Sequence, residues 1–131
     1  MRLAAVLFAL SLPVLANEGS SAWKLQTSGV VKVKKGAEGM ARVEVVPRED
    51  AHVSPDAPIS LTWTPDAGIK VPKAKLGRAD ARETAKKGVA FEVPVTAEKS
   101  GELKGKLSFF ICTDKLCERQ TKELAFAVEV Q

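Results

Sequence analysis

The stretch "GELKGKLSFFICTDKLCERQTKELAFAVEV", residues 101–130, alternates apolar and polar residues on either side of a short polar interruption. Leu103, Gly105, Leu107, Phe109 and Ile111 take every second place before it, and Leu124, Phe126, Val128 and Val130 do so after it. Successive side chains of a strand project to opposite faces, so a period of two marks a strand with one face buried. Thr113-Asp114-Lys115-Leu116 is long enough to turn the chain back, and the stretch therefore predicts an antiparallel hairpin. The chain has two cysteines, Cys112 and Cys117, and both lie at the mouth of that hairpin.

If Leu103, Leu107, Phe109 and Ile111 face the core, parity places Ser108, Phe110 and Cys112 on the opposite face. Cys112 is then expected outside the core, with Cys117 starting the return strand beside it. A pair so placed satisfies disulfide geometry across a hairpin mouth. Closing so short a ring contributes only about 2 kcal/mol by chain entropy, less than a bridge between distant strands. Lys115 and Arg119 flank the pair, and nearby cations stabilise a departing thiolate. The spacing leaves two readings open: an inert hairpin staple, or a pair that exchanges with other thiols.

Outward from the hairpin, the same alternation recurs. Val31 and Val33; Ala41, Val43 and Val45; Ile59, Leu61 and Trp63; and Val89, Phe91, Val93 and Val95 each skip a polar or small residue. "KKGAEG", "SPDAP", "TPDAG" and "EKSG" separate the runs as turns. Six or seven short strands in one domain predict an all-β fold, an immunoglobulin-like antiparallel β-sandwich. Residues 73–88, "KAKLGRADARETAKKG", break the pattern. Their alanines give too little apolar surface to anchor a helix, so they are read as a long connection across one end or edge, with a short helix or a loop inside it. An outward Phe110 is then either covered by this connection or available to a partner.

At the other end of the chain, Arg2 precedes an apolar run from Leu3 to Leu12, followed by Pro13 and the small-residue exit Val14-Leu15-Ala16. This is the layout of a secretory signal peptide over residues 1–16, leaving a domain of residues 17–131; Ser20-Ser21-Ala22 is the alternative cleavage site. The run is shorter than a membrane-spanning helix needs, so no membrane insertion is expected after cleavage. Export to the periplasm or beyond implies an oxidising compartment, where paired cysteines are joined. The whole chain carries a formal charge of +4, and loss of Arg2 lowers it to +3. Its cations alternate with acids, as in "ARVEVVPRED", instead of forming a basic stripe with interleaved aromatics, which argues against nucleic acid as a partner.

Other chemistries find little support. His52, the one histidine, lies in the turn-like "DAHVSPD" far from the cysteines, and reads as a surface residue. With two cysteines it would leave a zinc site one ligand short, so neither a metal nor another cofactor is expected. There is no GxSxG or comparable nucleophile motif. Trp63 has inward parity and reads as core, whereas the pattern around Trp23 leaves open whether it packs on an edge or is exposed.

The arrangement of strand, cysteine, short polar turn, cysteine and polar return strand, preceded by "FEVPVTAEKSGELKGKLSF", resembles the N-terminal domain of DsbD, the periplasmic thiol:disulfide interchange protein. The likeness runs over roughly residues 40–131, including "HVSPDAPISLTWTPDAGIKVPKAKL". It implies an immunoglobulin-like sandwich whose cysteine pair passes electrons to periplasmic partners. Cys117 would form the mixed disulfides and Cys112 would resolve them. By their parity and charge beside the pair, Phe110, Lys115 and Arg119 are the residues expected to meet the partner, a thioredoxin-like or other periplasmic redox protein. Four residues separate the cysteines here, where better-known members have five. Glu118-Arg119 replace an aromatic and prolines, and there is no tyrosine. The transmembrane and thioredoxin-like domains are not in these 131 residues, which implies that the reductant comes from a separate protein. The reading from another class is a non-catalytic binding or structural module with a stapled hairpin.

Overall fold

The computed structural model describes residues 22–131. The leader expected over residues 1–16 lies outside them, as do Ser20 and Ser21 of the alternative cleavage site. Eleven strands follow: β1 (Trp23–Thr27), β2 (Val31–Val33), β3 (Glu38–Pro47), β4 (His52–Val53), β5 (Ser60–Pro65), β6 (Ile69–Lys70), β7 (Lys75–Leu76), β8 (Arg82–Glu83), β9 (Val89–Ala97), β10 (Gly101–Cys112) and β11 (Cys117–Val130). One sheet has the order β1-β3-β9-β6, with β8 also on β9; the other has the order β2-β11-β10-β5-β7, with β4 also on β10. All pairs are antiparallel except β2 with β11. The protein is an immunoglobulin-like β-sandwich, with the inner faces of the two sheets forming its core.

The alternating runs supply that core. Ala41, Val43, Val45, Leu61, Trp63, Phe91, Val93, Val95, Leu103, Leu107, Phe109, Phe126 and Val128 are all buried. β10 and β11 pair continuously from Gly101↔Val128 to Cys112↔Cys117. A slip of one residue would turn every buried side chain of β10 outward, so the pattern pins this register. Gly105 sits opposite Trp63, and a Cβ there would lie 2.7 Å from the Trp63 ring carbons Cε3 and Cζ3. The missing side chain is what lets the indole lie across β10. Trp63 is held there by packing, tilted against Phe126 at 5.9 Å, because its buried Nε1 has no hydrogen-bond partner among the described residues.

Two features depart from the sequence reading. β1 joins the first sheet as an edge strand, although its apolar alternation is confined to Trp23 and Leu25. Residues 73–88 hold a single 3₁₀ turn, Arg78–Asp80, between two short strands that belong to different sheets: β7 pairs with β5, and β8 with β9. The connection therefore crosses from sheet to sheet along one side of the sandwich.

Phe109 is fully buried and Phe110 half-buried. Phe109→Ala should cost about 3–5 kcal/mol in urea unfolding and Phe110→Ala clearly less. Gly105→Ala, which drives a methyl into the Trp63 ring, should cost about 1–3 kcal/mol in the same measurement.

Candidate functional site

Cys112 ends β10, Cys117 starts β11, and the two are directly opposite and joined, with their Cα atoms 4.0 Å apart. The Thr113 N–H donates to the Leu116 carbonyl at 2.9 Å, closing the four-residue loop. Hydrogen-bonded and non-hydrogen-bonded pairs alternate along an antiparallel ladder, so the pair next to 113/116 is a non-hydrogen-bonded one. This is the position where facing Cβ atoms approach closest, and a disulfide fits there without displacing a ladder bond.

The two sulfurs belong to different surroundings. Cys112 is 3% exposed, whereas Cys117 is exposed. Parity along β10 holds as expected, so Cys112 does lie on the outer face with Ser108 and Phe110, yet it is buried. It stands outside the core cluster between the sheets, as expected, and is covered all the same; the reason lies in the neighbouring strands. β10 is interior to its sheet: Cys112 faces Cys117 on one side and His52 of β4 on the other. β11 has β10 on one side, and on its other side β2 reaches only residues 128–130. The same bond therefore joins a sheltered sulfur to an open one.

Directly opposite residues project to the same face. His52, Cys112 and Cys117 thus form one row on the outer face. Phe110 and Arg119 form part of the next, beside Ser54, whose N–H donates to the Phe110 carbonyl at 2.9 Å. Arg119 is exposed and its Nε donates to Ser108 Oγ at 3.2 Å. It shares the face of Cys117, whereas Glu118 projects to the other, so the guanidinium is the charged group of β11 nearest in sequence to the exposed cysteine on that face, ahead of Glu123. Lys115 is exposed in the loop. The structure thus brings Cys112, Cys117, Phe110, Lys115 and Arg119 to one corner of the sandwich. Two further residues of that corner escaped the sequence reading. His52 looked like a turn residue, because a two-residue strand carries no period. Leu116 is 52% exposed directly before Cys117; its apolar side chain in a polar loop was the signal to follow.

Under the hairpin, Trp23 supplies the apolar surface that β11 lacks. The inward positions Glu118, Gln120 and Lys122 are polar, and Trp23 packs edge-on against Phe109 with centroids 4.9 Å apart while its Nε1 donates to Gln120 Oε1 at 3.3 Å. Amphipathic indole is suited to such a border, with one side dry and one polar.

The 73–88 connection supports the other side of Cys112. Arg78 Nη2 donates to the carbonyls of Ser54 and Ala57 at 2.8 and 2.6 Å, and the Val53 N–H donates to the Lys87 carbonyl at 2.9 Å. These bonds hold β4 in place beside β10. Asp80 fixes the 3₁₀ turn by accepting from the Gly77 N–H at 2.9 Å and from Lys73 Nζ. The Gly77 N–H first, and the Lys73 ammonium second, hold its carboxyl below the usual carboxylate range. A cleft of about 370 Å³ lies between His52, Arg78, Glu83, Thr84 and Lys87. Among the described residues, no three His, Cys, Asp or Glu side chains come together as a metal site.

No family model matches the chain, and no curated protein does. Solved structures similar to it include AggA, the major subunit of aggregative adherence fimbriae type I from Escherichia coli, at 12% identity, covering 83% of this chain and 94% of that one with a TM-score of 0.45. A cohesin module of a family 33 glycoside hydrolase from Clostridium perfringens follows at 10% identity, 86% and 100% coverage and a TM-score of 0.42. Murine CRIg is similar at 7% identity, 83% and 98% coverage and a TM-score of 0.42.

Arg78→Ala removes a charged donor from two carbonyls, a loss of about 1.5–3 kcal/mol locally. Amide exchange at residues 52–57 should accelerate about tenfold or more, while that of the β3 and β9 core stays unchanged. The lowered Asp80 carboxyl contributes stability that is present above its unfolded value near ~4 and lost as pH falls through its folded value. Amide protection in residues 77–81, taken relative to the unfolded chain at the same pH, should therefore fall on acidification below that range, and in Asp80→Asn it should no longer depend on pH.

Proposed function

We propose that this domain is an exported thiol-disulfide interchange module, a stand-alone counterpart of the N-terminal domain of DsbD, which exchanges its Cys112–Cys117 disulfide with periplasmic redox proteins. The observation that carries the proposal is the asymmetry of the bond: Cys117 is exposed and Cys112 is 3% exposed. A structural bridge gains from having both sulfurs covered. An exchanging bridge needs one sulfur within reach of an incoming thiolate.

The partner's thiolate attacks Sγ of Cys117 in line with the disulfide. A bond forms between the partner's sulfur and Cys117, the Cys112–Cys117 bond breaks, and Cys112 leaves as a thiolate that takes a proton from solvent. The partner's second cysteine then attacks its own mixed-disulfide sulfur. Its disulfide closes, and Cys117 departs as a thiolate beside the Arg119 guanidinium. Two electrons pass from the partner's dithiol to this domain, and the reverse sequence returns them. Run in reverse, the sheltered Cys112 resolves the mixed disulfide without competition from other thiols. Phe110, Lys115 and Arg119 surround the exposed sulfur as the partner's landing area.

Cys112→Ser, with Cys117 free, is expected to accumulate mixed disulfides when exposed to a periplasmic extract, and Cys117→Ser to accumulate few. The oxidised domain should be reduced by a thioredoxin-like donor within minutes under native conditions, at a potential well above the roughly −300 mV of structural bridges. Resistance to the donor until the protein is denatured, with both serine variants folded and trapping nothing, would establish the hairpin as a staple in a binding or structural module.

A further inference from the structure

Among the described residues, the outer edge of β11 is open over residues 117–127: β10 covers the other edge throughout, and β2 begins only at Val128. The direction of each backbone group on that strand follows from three hydrogen bonds. Thr113 N–H bonds Leu116, so the adjoining pair Cys112/Cys117 makes no ladder bond and the N–H and C=O of Cys117 point away from β10. The alternation continues through the unbroken register, so Arg119, Thr121, Glu123, Ala125 and Ala127 also direct theirs to the open edge. At the far end the Gln131 N–H donates to the Val33 carbonyl on the β2 side at 2.8 Å, and the Val130 N–H donates to Ser100 Oγ at 2.9 Å, as that parity requires. No hydrogen bond to the edge-directed groups of residues 117–127 occurs among the described residues.

We infer that this edge is the docking site for an extended segment of the redox partner, which adds as a further strand along β11 and so aligns its cysteine with Cys117. The inference rests on the exchange reading and specifies how that reaction recognises its partner. Three observations select this occupant. The row of free donors and acceptors starts at the reactive cysteine itself, so a strand bound there has its own side chains in the same row as Cys117. The edge already accepts a strand at its other end, where β2 pairs with residues 128–130. Finally, two of the exposed large apolar residues bracket it: Leu116, 52% exposed, precedes Cys117, and Val30, 48% exposed, precedes the residue paired with Val128. Eleven residues of open strand span roughly 35 Å at about 3.3 Å each, enough for a partner segment of eight to ten residues. Backbone pairing supplies affinity without demanding a particular sequence, which suits a domain that must meet more than one redox protein.

The probe is a nine-residue peptide of valines and threonines with one central cysteine, and the comparison is the same peptide N-methylated at alternate amides. Each is mixed with the oxidised full-length domain, the rate of mixed-disulfide formation at Cys117 is measured, and both rates are divided by the rate with dithiothreitol. The unmodified peptide should react about tenfold faster than the methylated one, since several backbone hydrogen bonds are withdrawn. Thr121→Pro removes one edge-directed N–H and leaves the β10 ladder intact; it should erase the preference while keeping the dithiothreitol rate. A serine-for-cysteine version of the peptide should slow amide exchange at Arg119, Thr121 and Glu123, a readout of docking that needs no chemistry. Equal rates for the two peptides, or no protection by the serine peptide, overturns the inference while a normal dithiothreitol rate leaves the exchange reading standing. Protection of the same amides in the protein alone also overturns it. In that case concentration dependence would show a second copy as the occupant, and its absence would show the chain's own residues 1–21. Failure with dithiothreitol under native conditions sinks the exchange reading, and the serine peptide still decides whether the edge binds strands.

Discussion

The unbroken pairing of β10 with β11 is the constraint on which the rest of the molecule depends. β10 lies inside its sheet, and its other edge carries β5 along the first half and β4 at the end. Its register therefore sets the position of Trp63 over Gly105, of Phe109 against Trp23, and of Cys112 between Cys117 and His52. One parity, Leu103 to Ile111 inward, decides all of these together, because a shift by a single residue would expose the core side chains and bury the polar ones.

The buried face of β11 and the exposed cysteine belong to different halves of that hairpin. The half near Gly101 pairs with the apolar end of β11, where Leu124, Phe126 and Val128 are buried. The half near the disulfide pairs with Glu118, Arg119, Lys122 and Glu123, and all four are exposed. On the β11 side the far half thus lacks apolar cover of its own and is supported from its flanks. Trp23 fills the inner side and satisfies Gln120; on the other side the 73–88 connection fastens β4 through Arg78 and the Lys87 carbonyl. Lys87 is the non-glycine residue with positive φ among those described, at 64°, and its carbonyl is the one that accepts from Val53. A left-handed conformation in a non-glycine residue costs some backbone energy, and here it directs that carbonyl onto β4.

This arrangement gives a disulfide whose two ends differ in access although their residues are adjacent in space. An immunoglobulin-type bridge between sheets shelters both sulfurs inside the core and ties together strands distant in sequence. The bond here spans a hairpin mouth, constrains the unfolded chain little, and turns one sulfur to solvent. It lies next to a strand edge that is open among the described residues, with the exposed Leu116 and Val30 at the two ends.

The amino-acid sequence by itself determined the sandwich and the hairpin, because burial on one face of a strand imposes a period of two that survives in Ala41-Val43-Val45, Phe91-Val93-Val95 and Leu103-Leu107-Phe109-Ile111. It also determined that Cys112 and Cys117 would meet, since a four-residue, mostly polar interruption between two strands leaves few other ways to turn. It left no trace of the two-residue strands, β4, β6, β7 and β8, and so could not place His52 beside Cys112 or give the 73–88 connection its role. Local parity correctly put Cys112 on the outer face, but exposure is not a local property. Whether an outward side chain is covered depends on how many strands flank its own. That number was decided only when the tertiary structure set β10 between two neighbours and left β11 with one along most of its length.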